Sequence, residues 1–496
     1  MNRKLVFLVS MLVALSLVFS ACAQATPAPT EEAPAVEQPA AEEPAAEEPA
    51  AEEPAAEEPA AEEPAAAECT DDTRVPITWS TIAGFYTDAM DTLVKDFEAT
   101  HCVKVTLVNI DNSQLYDKQV IEMVGETGAY DVVTLETAEK AEFAENGFIL
   151  PMDDYIKENA EAVQYEDIAP ILADMTTQYK GHIYGLPYYT YTAGYFYRAD
   201  LFEDPTEQAA FKEKYGYDLA VPTTWQQHRD IAEFFTRKAG ENLKGQPLTK
   251  DFYGVGLMAG RFQEIQDELS AFVWAWGGDW LTDEGKVDVE TVTKALKWYV
   301  EELLPFAPPA ALTVTYDGVI NQMNDGQIAQ TAGMFLDQWP NAVKTEEMVP
   351  GAKMGNAVAP EGKSYIGGFL LAVSSTSKHP KEAMDFVAYI GGVEAQRKFA
   401  SMGGTTTRMS ILTDPEVTSE ANRAFTGAFP TLVKVFEEMK DTRSNLFFTP
   451  FGAKIYNTLG PMLQAAAAGE KTPEQAVIDL AAEVEKICGG ACPINK

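Results

Sequence analysis

Val75-Pro76-Ile77-Thr78-Trp79-Ser80 opens the passage that decides the fold. It is a short run of strand length, with β-branched and aromatic side chains and little charge. From Asp88 to Thr100 the period changes, and Met90, Leu93, Val94 and Phe97 fall on one helical face. Val103–Val108 returns to strand character, and Leu115–Val124 reads as a helix closed by Gly125. Asp131–Leu135 is a third strand, and Ala138–Asn146 a third helix with Gly147 just past its end. Alternating strands and helices predict an α/β fold with a parallel, doubly wound sheet.

Downstream of Trp225 helices dominate. Strand-like pieces stand at Tyr253–Met258, Ala329–Phe335 and Gly367–Val373, and helical patterns fill 380–401, 450–468 and 473–487. Residues 69–496 are too many for one ordinary core, so two lobes are expected.

Upstream lies a different kind of sequence. Arg3 and Lys4 precede an apolar run from Leu5 to Phe19, followed by Ser20-Ala21-Cys22. This is the layout of a secretory signal, and the run is shorter than the roughly 20 residues that span a bilayer. It resembles a bacterial lipoprotein signal over residues 1–21, with Cys22 as the lipidated first residue of the mature chain, although Phe19 replaces the usual aliphatic residue. Residues 22–68 then read as a disordered tether. The pentad Ala-Glu-Glu-Pro-Ala repeats five times from Ala41 to Ala65, with nothing from which to build a core. Regular proline and like charges extend such a segment to roughly 100 Å or more at about 3.1 Å per residue.

The net charge is −39. With 14 Glu in residues 23–68 and two basic residues in the signal, residues 69–496 still carry −27. So acidic a body repels nucleic acid and anionic lipid, and neither is expected as a partner. Apart from Cys22 the cysteines are Cys69, Cys102, Cys488 and Cys492, an even set for an oxidising compartment. Cys69 and Cys102 each precede a strand of a parallel βαβ unit, which brings them to one end of the sheet, and Cys488 and Cys492 are placed to pair locally.

No GxSxG, HExxH, Walker loop, GxGxxG or CxxC occurs, and His101, His182, His228 and His379 are scattered. An enzyme, a metal site and a cofactor are therefore not expected. The informative residues are aromatic. Residues 184–197 contain seven aromatic side chains, with Tyr188, Tyr189 and Tyr191 at their centre. Tyr offers a flat apolar face and a hydroxyl tip, which suits sugars with their C–H patches and hydroxyl edges. For Trp274, Trp276 and Trp280 core packing is as good an explanation as ligand stacking. Trp339 follows Asp337 and Gln338 just after a strand, where ligands gather in open α/β sheets.

Several motifs then line up in order. They are Phe97-Glu98 before Val103-Lys104-Val105; Tyr130-Asp131-Val132-Val133 before Phe143–Leu150; Tyr184-Gly185-Leu186-Pro187; Val221-Pro222-Thr223-Thr224-Trp225; Gly326 through Trp339; Gly367-Gly368-Phe369; and Gly403 through Arg408. Together they resemble the extracellular solute-binding proteins of the maltose-binding type, which deliver ligands to ABC importers. The resemblance covers about 75 to 490, and Thr406 stands where the family's last crossover usually has Pro.

The resemblance implies two lobes around a ligand cleft, a type II periplasmic-binding-protein fold. The first lobe is expected at 69–186 plus 353–404 and the second at 187–352 plus 405–496. Ser80, Thr81, Glu136, Gly367, Gly368 and Phe369 are implied ligand contacts of the first lobe. Asp337 and Trp339, the latter as a stacking platform, are implied for the second. Tyr188, Tyr189 and Tyr191 fall at the hinge and Arg408 at the last crossover. The implied partners are a di- or oligosaccharide and the membrane permease, bound by a monomeric lipoprotein outside the cytoplasm. Two alternatives stay open: a non-sugar ligand such as ferric ion, since paired tyrosines also bind iron, and an adhesin or sensor ectodomain.

Overall fold

The structure is a computed structural model that describes residues 69–84 and 86–496. The signal and tether expected over 1–68, with Cys22, lie outside the described residues.

The first sheet grows from the passage that opened the sequence reading. β1 (Val75–Ile82) runs parallel to β2 (Val103–Ile110), in register from Val75 against Val103 to Ile82 against Ile110. β1 is also parallel to β3 (Val132–Glu136). The helix Thr87–Thr100 connects β1 to β2 and buries Met90, Leu93, Val94 and Phe97, as the spacing predicts. Two later strands complete the sheet: β4 (Leu186–Thr190) and β9 (Gly368–Val373). β9 lies antiparallel between β3 and β4, giving the order β2-β1-β3-β9-β4. The expected parallel sheet therefore carries one antiparallel member, β9, inserted between β3 and β4, while β4 runs in the same direction as β1, β2 and β3.

The second sheet contains β5 (Ala193–Arg198), β6 (Tyr253–Val255), β7 (Ile328–Phe335) and β8 (Met354–Ala357) in the order β6-β7-β5-β8. Sheet membership changes between Thr190 and Ala193 and again between Ala357 and Gly368. Both changes fall a few residues beyond the boundaries expected at 186 and 352, since β4 stays with the first sheet and β8 with the second. The two connecting segments are bonded to one another. Tyr191 N donates to Gly367 O at 3.1 Å, Ala193 N to Tyr365 O at 2.8 Å, and Thr190 Oγ1 to Gly367 O at 2.8 Å.

The stretch 380–401 forms two helices, Pro380–Gly391 and Val393–Ser401, broken at Gly392. The helices Gly452–Ala467 and Pro473–Cys488 close the chain; Thr472 caps the latter and Gly489 ends it at φ +67°. Cys69–Cys102 and Cys488–Cys492 are disulfides, with Cα separations of 5.5 and 5.0 Å. Among the described residues no helix is long and apolar enough to cross a membrane.

Candidate functional site

The C-terminal ends of β1, β3 and β7 converge on a cavity of about 160 Å³. β1 contributes Thr81 and Ile82, β3 contributes Glu136, and β7 contributes Phe335 with Asp337 and Gln338 in the turn that follows. β4 supplies Tyr188 and Tyr189, the connecting segment after it Tyr191, and β9 Phe369. The helix Glu264–Ala275 presents Glu264 and Asp267, and Tyr86, Tyr316 and Tyr456 complete the aromatic wall.

Rings make up most of that wall. Tyr189 and Phe369 stack with centroids 5.7 Å apart and planes 6° from parallel. Tyr86 meets Tyr189 edge-on at 4.9 Å, and Tyr191 meets Phe335 edge-on at 5.4 Å. Such offset and edge contacts hold the rings in fixed orientations.

Three of the four carboxyl groups on the cavity, those of Asp337, Glu136 and Asp267, accept from neutral side-chain donors. Tyr189 Oη donates to Asp337 Oδ2 at 2.7 Å, and Gln338 Nε2 to the same oxygen at 2.8 Å. Asp337 Oδ1 is buried without a partner, and the residue is 1% exposed. Tyr191 Oη donates to Glu136 Oε1. Tyr456 Oη donates to both oxygens of Asp267, at 3.0 and 3.3 Å. Burial disfavours the charged form of each acid. It pushes Asp337 up to about 6, raises Glu136 and Glu264, and takes Asp267 well above the carboxylate range, helped there by the nearby Glu264 and Glu136 charges.

Of the residues singled out in the sequence, Thr81, Glu136, Tyr188, Tyr189, Tyr191, Asp337 and Phe369 meet on this cavity. Five others stand behind it. Ser80 is fully buried and accepts from Gln119 Nε2 at 2.9 Å. Gly367 and Gly368 are backbone partners: a Cβ on Gly367 would come within 2.2 Å of the Tyr191 ring, so glycine is what lets that ring lie flat there. Trp339 is 1% exposed, packs edge-on against Phe196 and donates Nε1 to Arg423 O at 2.7 Å. It is a core residue and does not line the cavity, where the stacked rings are Tyr189 and Phe369. Arg408 is fully buried, with Nε on Gly391 O at 2.7 Å and Nη1 on Gln164 O at 2.5 Å. Its guanidinium is spent on main-chain carbonyls that tie the last crossover to the first lobe. Trp274 and Trp280 are buried too, donating to Asp279 and Ser270.

Sequence reasoning missed Tyr86, Glu264, Asp267, Tyr316 and Tyr456. One signal was available for the two acids. Leu269 to Ala275 is apolar except for Ser270, which marks the helix as buried, and acids on a buried helix need a partner or a ligand.

Comparison with known proteins gives a consistent picture. The sequence profile described as bacterial extracellular solute-binding protein matches residues 86–397. A "Probable amino-acid ABC transporter periplasmic-binding protein" of Sinorhizobium fredii is 25% identical over 420 residues, covering 82% of this chain and 87% of that protein. A mannitol-binding protein of Pseudomonas aeruginosa is 24% identical over 423 residues, covering 78% of this chain and 87% of the relative. The ABC transporter solute-binding protein of Agrobacterium radiobacter, solved with ribitol, superposes with a TM-score of 0.69 at 23% identity, over 83% of this chain and 98% of that one. That likeness establishes the two-lobe fold.

Proposed function

The chain belongs to the bacterial extracellular solute-binding protein family, and on that premise we propose that it captures a sugar or polyol in the cleft between its lobes and delivers it to an ABC permease. The observation that carries this reading is the cavity itself: stacked Tyr189 and Phe369 beside acceptor carboxylates from both lobes. Aromatic faces take the C–H side of a polyhydroxylated solute, and Asp337 and Glu136 accept from its hydroxyls. Thr81, Tyr188 and Tyr191 add hydroxyl groups to the same wall.

The relatives' names divide between an amino acid and a polyol. Cavity size favours a compact solute. At about 10–15 Å³ for each water-sized position, a cavity of this volume holds on the order of ten such positions. That matches a single sugar ring or a linear polyol, and an oligosaccharide needs the lobes further apart. Closure bends the segments around Thr190–Ala193 and Ala357–Gly368, with Thr405–Arg408 as a third connection. The ferric-ion alternative has no specific observation in its favour: the cavity wall has no His, and among the described residues no cluster of His, Cys, Asp or Glu is arranged to hold a metal ion. A lipid on Cys22 and the Ala/Glu/Pro tether complete the reading, holding a monomeric receptor at the outer face of the membrane.

The test is a thermal-shift and calorimetric screen against ribitol, mannitol, monosaccharides and maltodextrins. A solute at 100 times its dissociation constant stabilises the folded state by about 2.7 kcal/mol. Absence of any stabilisation across the whole set refutes the reading. For the anchor, Cys22→Ser should release the protein into the medium.

A further inference from the structure

The cavity wall has a chemical bias that a neutral sugar does not require. Four carboxylates face it from three separate places: Glu136 at the end of β3, Glu264 and Asp267 on one helix, and Asp337 in the turn after β7. Among the described residues that line it there is no Lys, Arg or His. The donors that reach these acids are tyrosine hydroxyls and one amide, all neutral.

Two carboxylate oxygens remain without any partner, Asp337 Oδ1 and Glu264 Oε2. Asp337 lines the cavity and is 1% exposed, so that oxygen is desolvated. A buried acceptor left unpaired is destabilising, and more so when charged. A solute hydroxyl answers the hydrogen bond and leaves any charge on Asp337 uncompensated. A protonated amine answers both, since an ammonium brings three donors and a positive charge. The surrounding rings suit the same guest, because a cation is attracted to the face of a tyrosine or phenylalanine ring.

We propose that the preferred solute carries a protonated amine on its polyhydroxyl frame, as an amino sugar or amino polyol does, with the ammonium seated on Asp337. This rests on the solute-binding reading above and names the class of solute within it. Tyr189 and Phe369 hold the carbon frame, while the acids select the charge.

Matched pairs differing only in the amine test it: glucamine against sorbitol, glucosamine against glucose, and galactosamine against galactose. Affinities are measured by calorimetry at pH 7 on the intact protein freed of ligand. The expected result is that at least one amine binds tenfold or more tighter than its neutral partner, and that Asp337→Asn shrinks this ratio at least fivefold. Circular dichroism and thermal unfolding establish that the variant is folded. A neutral partner that binds as tightly as its amine in every pair overturns the inference and leaves the sugar reading intact. An undiminished ratio in the folded Asp337→Asn protein overturns the assigned seat. No binding by any amine or any neutral solute, including ribitol and mannitol, overturns both.

Discussion

Asp337→Asn keeps the shape of a buried side chain and removes its charge, so its effect on stability is calculable. Burial lifts the Asp337 carboxyl from an ordinary 3.8 to about 6 in the folded chain. A group with a raised folded-state value stabilises fully below its unfolded value, and that contribution is lost as pH rises through the folded value. Two units at about 1.4 kcal/mol each give a total near 3 kcal/mol, of which about 2 kcal/mol is lost between pH 4.5 and 7.5. Asparagine does not titrate. The stability of Asp337→Asn relative to the parent should therefore improve by about 2 kcal/mol on going from pH 4.5 to 7.5, both proteins being free of ligand. Urea unfolding at the two pH values supplies the four free energies. His228, pushed down to about 3, and Glu268, lifted to about 8, are common to both proteins and cancel in the double difference. Any pH-independent cost of re-pairing Tyr189 and Gln338 cancels as well. A double difference of zero, or one of opposite sign, refutes the claim that this carboxylate is held in a charge-averse site.

Three further outcomes are expected. Trp339→Ala should lose about 3–5 kcal/mol of stability to urea, because it empties a core position and strands the Arg423 carbonyl; if it instead abolishes binding with stability unchanged, Trp339 contacts solute. Arg408→Lys should cost about 2–4 kcal/mol, since one ammonium cannot serve both the Gly391 and Gln164 carbonyls, and an unchanged unfolding midpoint would show the clamp to be idle. Replacing Cys69 and Cys102 with Ser should lower stability by about 3–4 kcal/mol, as expected for releasing a loop closed across a separation of 33 residues, with equal midpoints in oxidised parent and variant as the contrary result.

How far the sequence could be read depended on the range of the interactions involved. β1, β2, β3 and the helix between the first two follow from local periodicity, and their observed bounds differ from expectation by only a few residues. The break at Gly392 was invisible because the apolar pattern continues through it on both sides. Trp339 was misread for the opposite reason. Its neighbours Asp337 and Gln338 look like loop chemistry, but its indole is satisfied by a carbonyl 84 residues away. Glu264 and Asp267 were not singled out, because sequence spacing cannot reveal that Tyr456, from a late helix, folds over Asp267. Residues whose place is set by their own strand end, such as Thr81, Glu136 and Phe369, were found; those placed by distant partners were not.

The bonding between the two connecting segments has a mechanical result. Linked from Tyr191 to Gly367 and from Ala193 to Tyr365, they behave as a narrow ribbon and not as two separate strings. A ribbon folds readily across its flat face and resists shear along its length, since shear would break both bonds at once. Bending across that flat face is then the relative motion of the lobes that these bonds oppose least. A spin label on each lobe should report a single distance change, the same whether solute is added or the hinge is bent by another means. Occupancy is thus encoded in one number, which a docking partner can gauge from outside without reaching the solute.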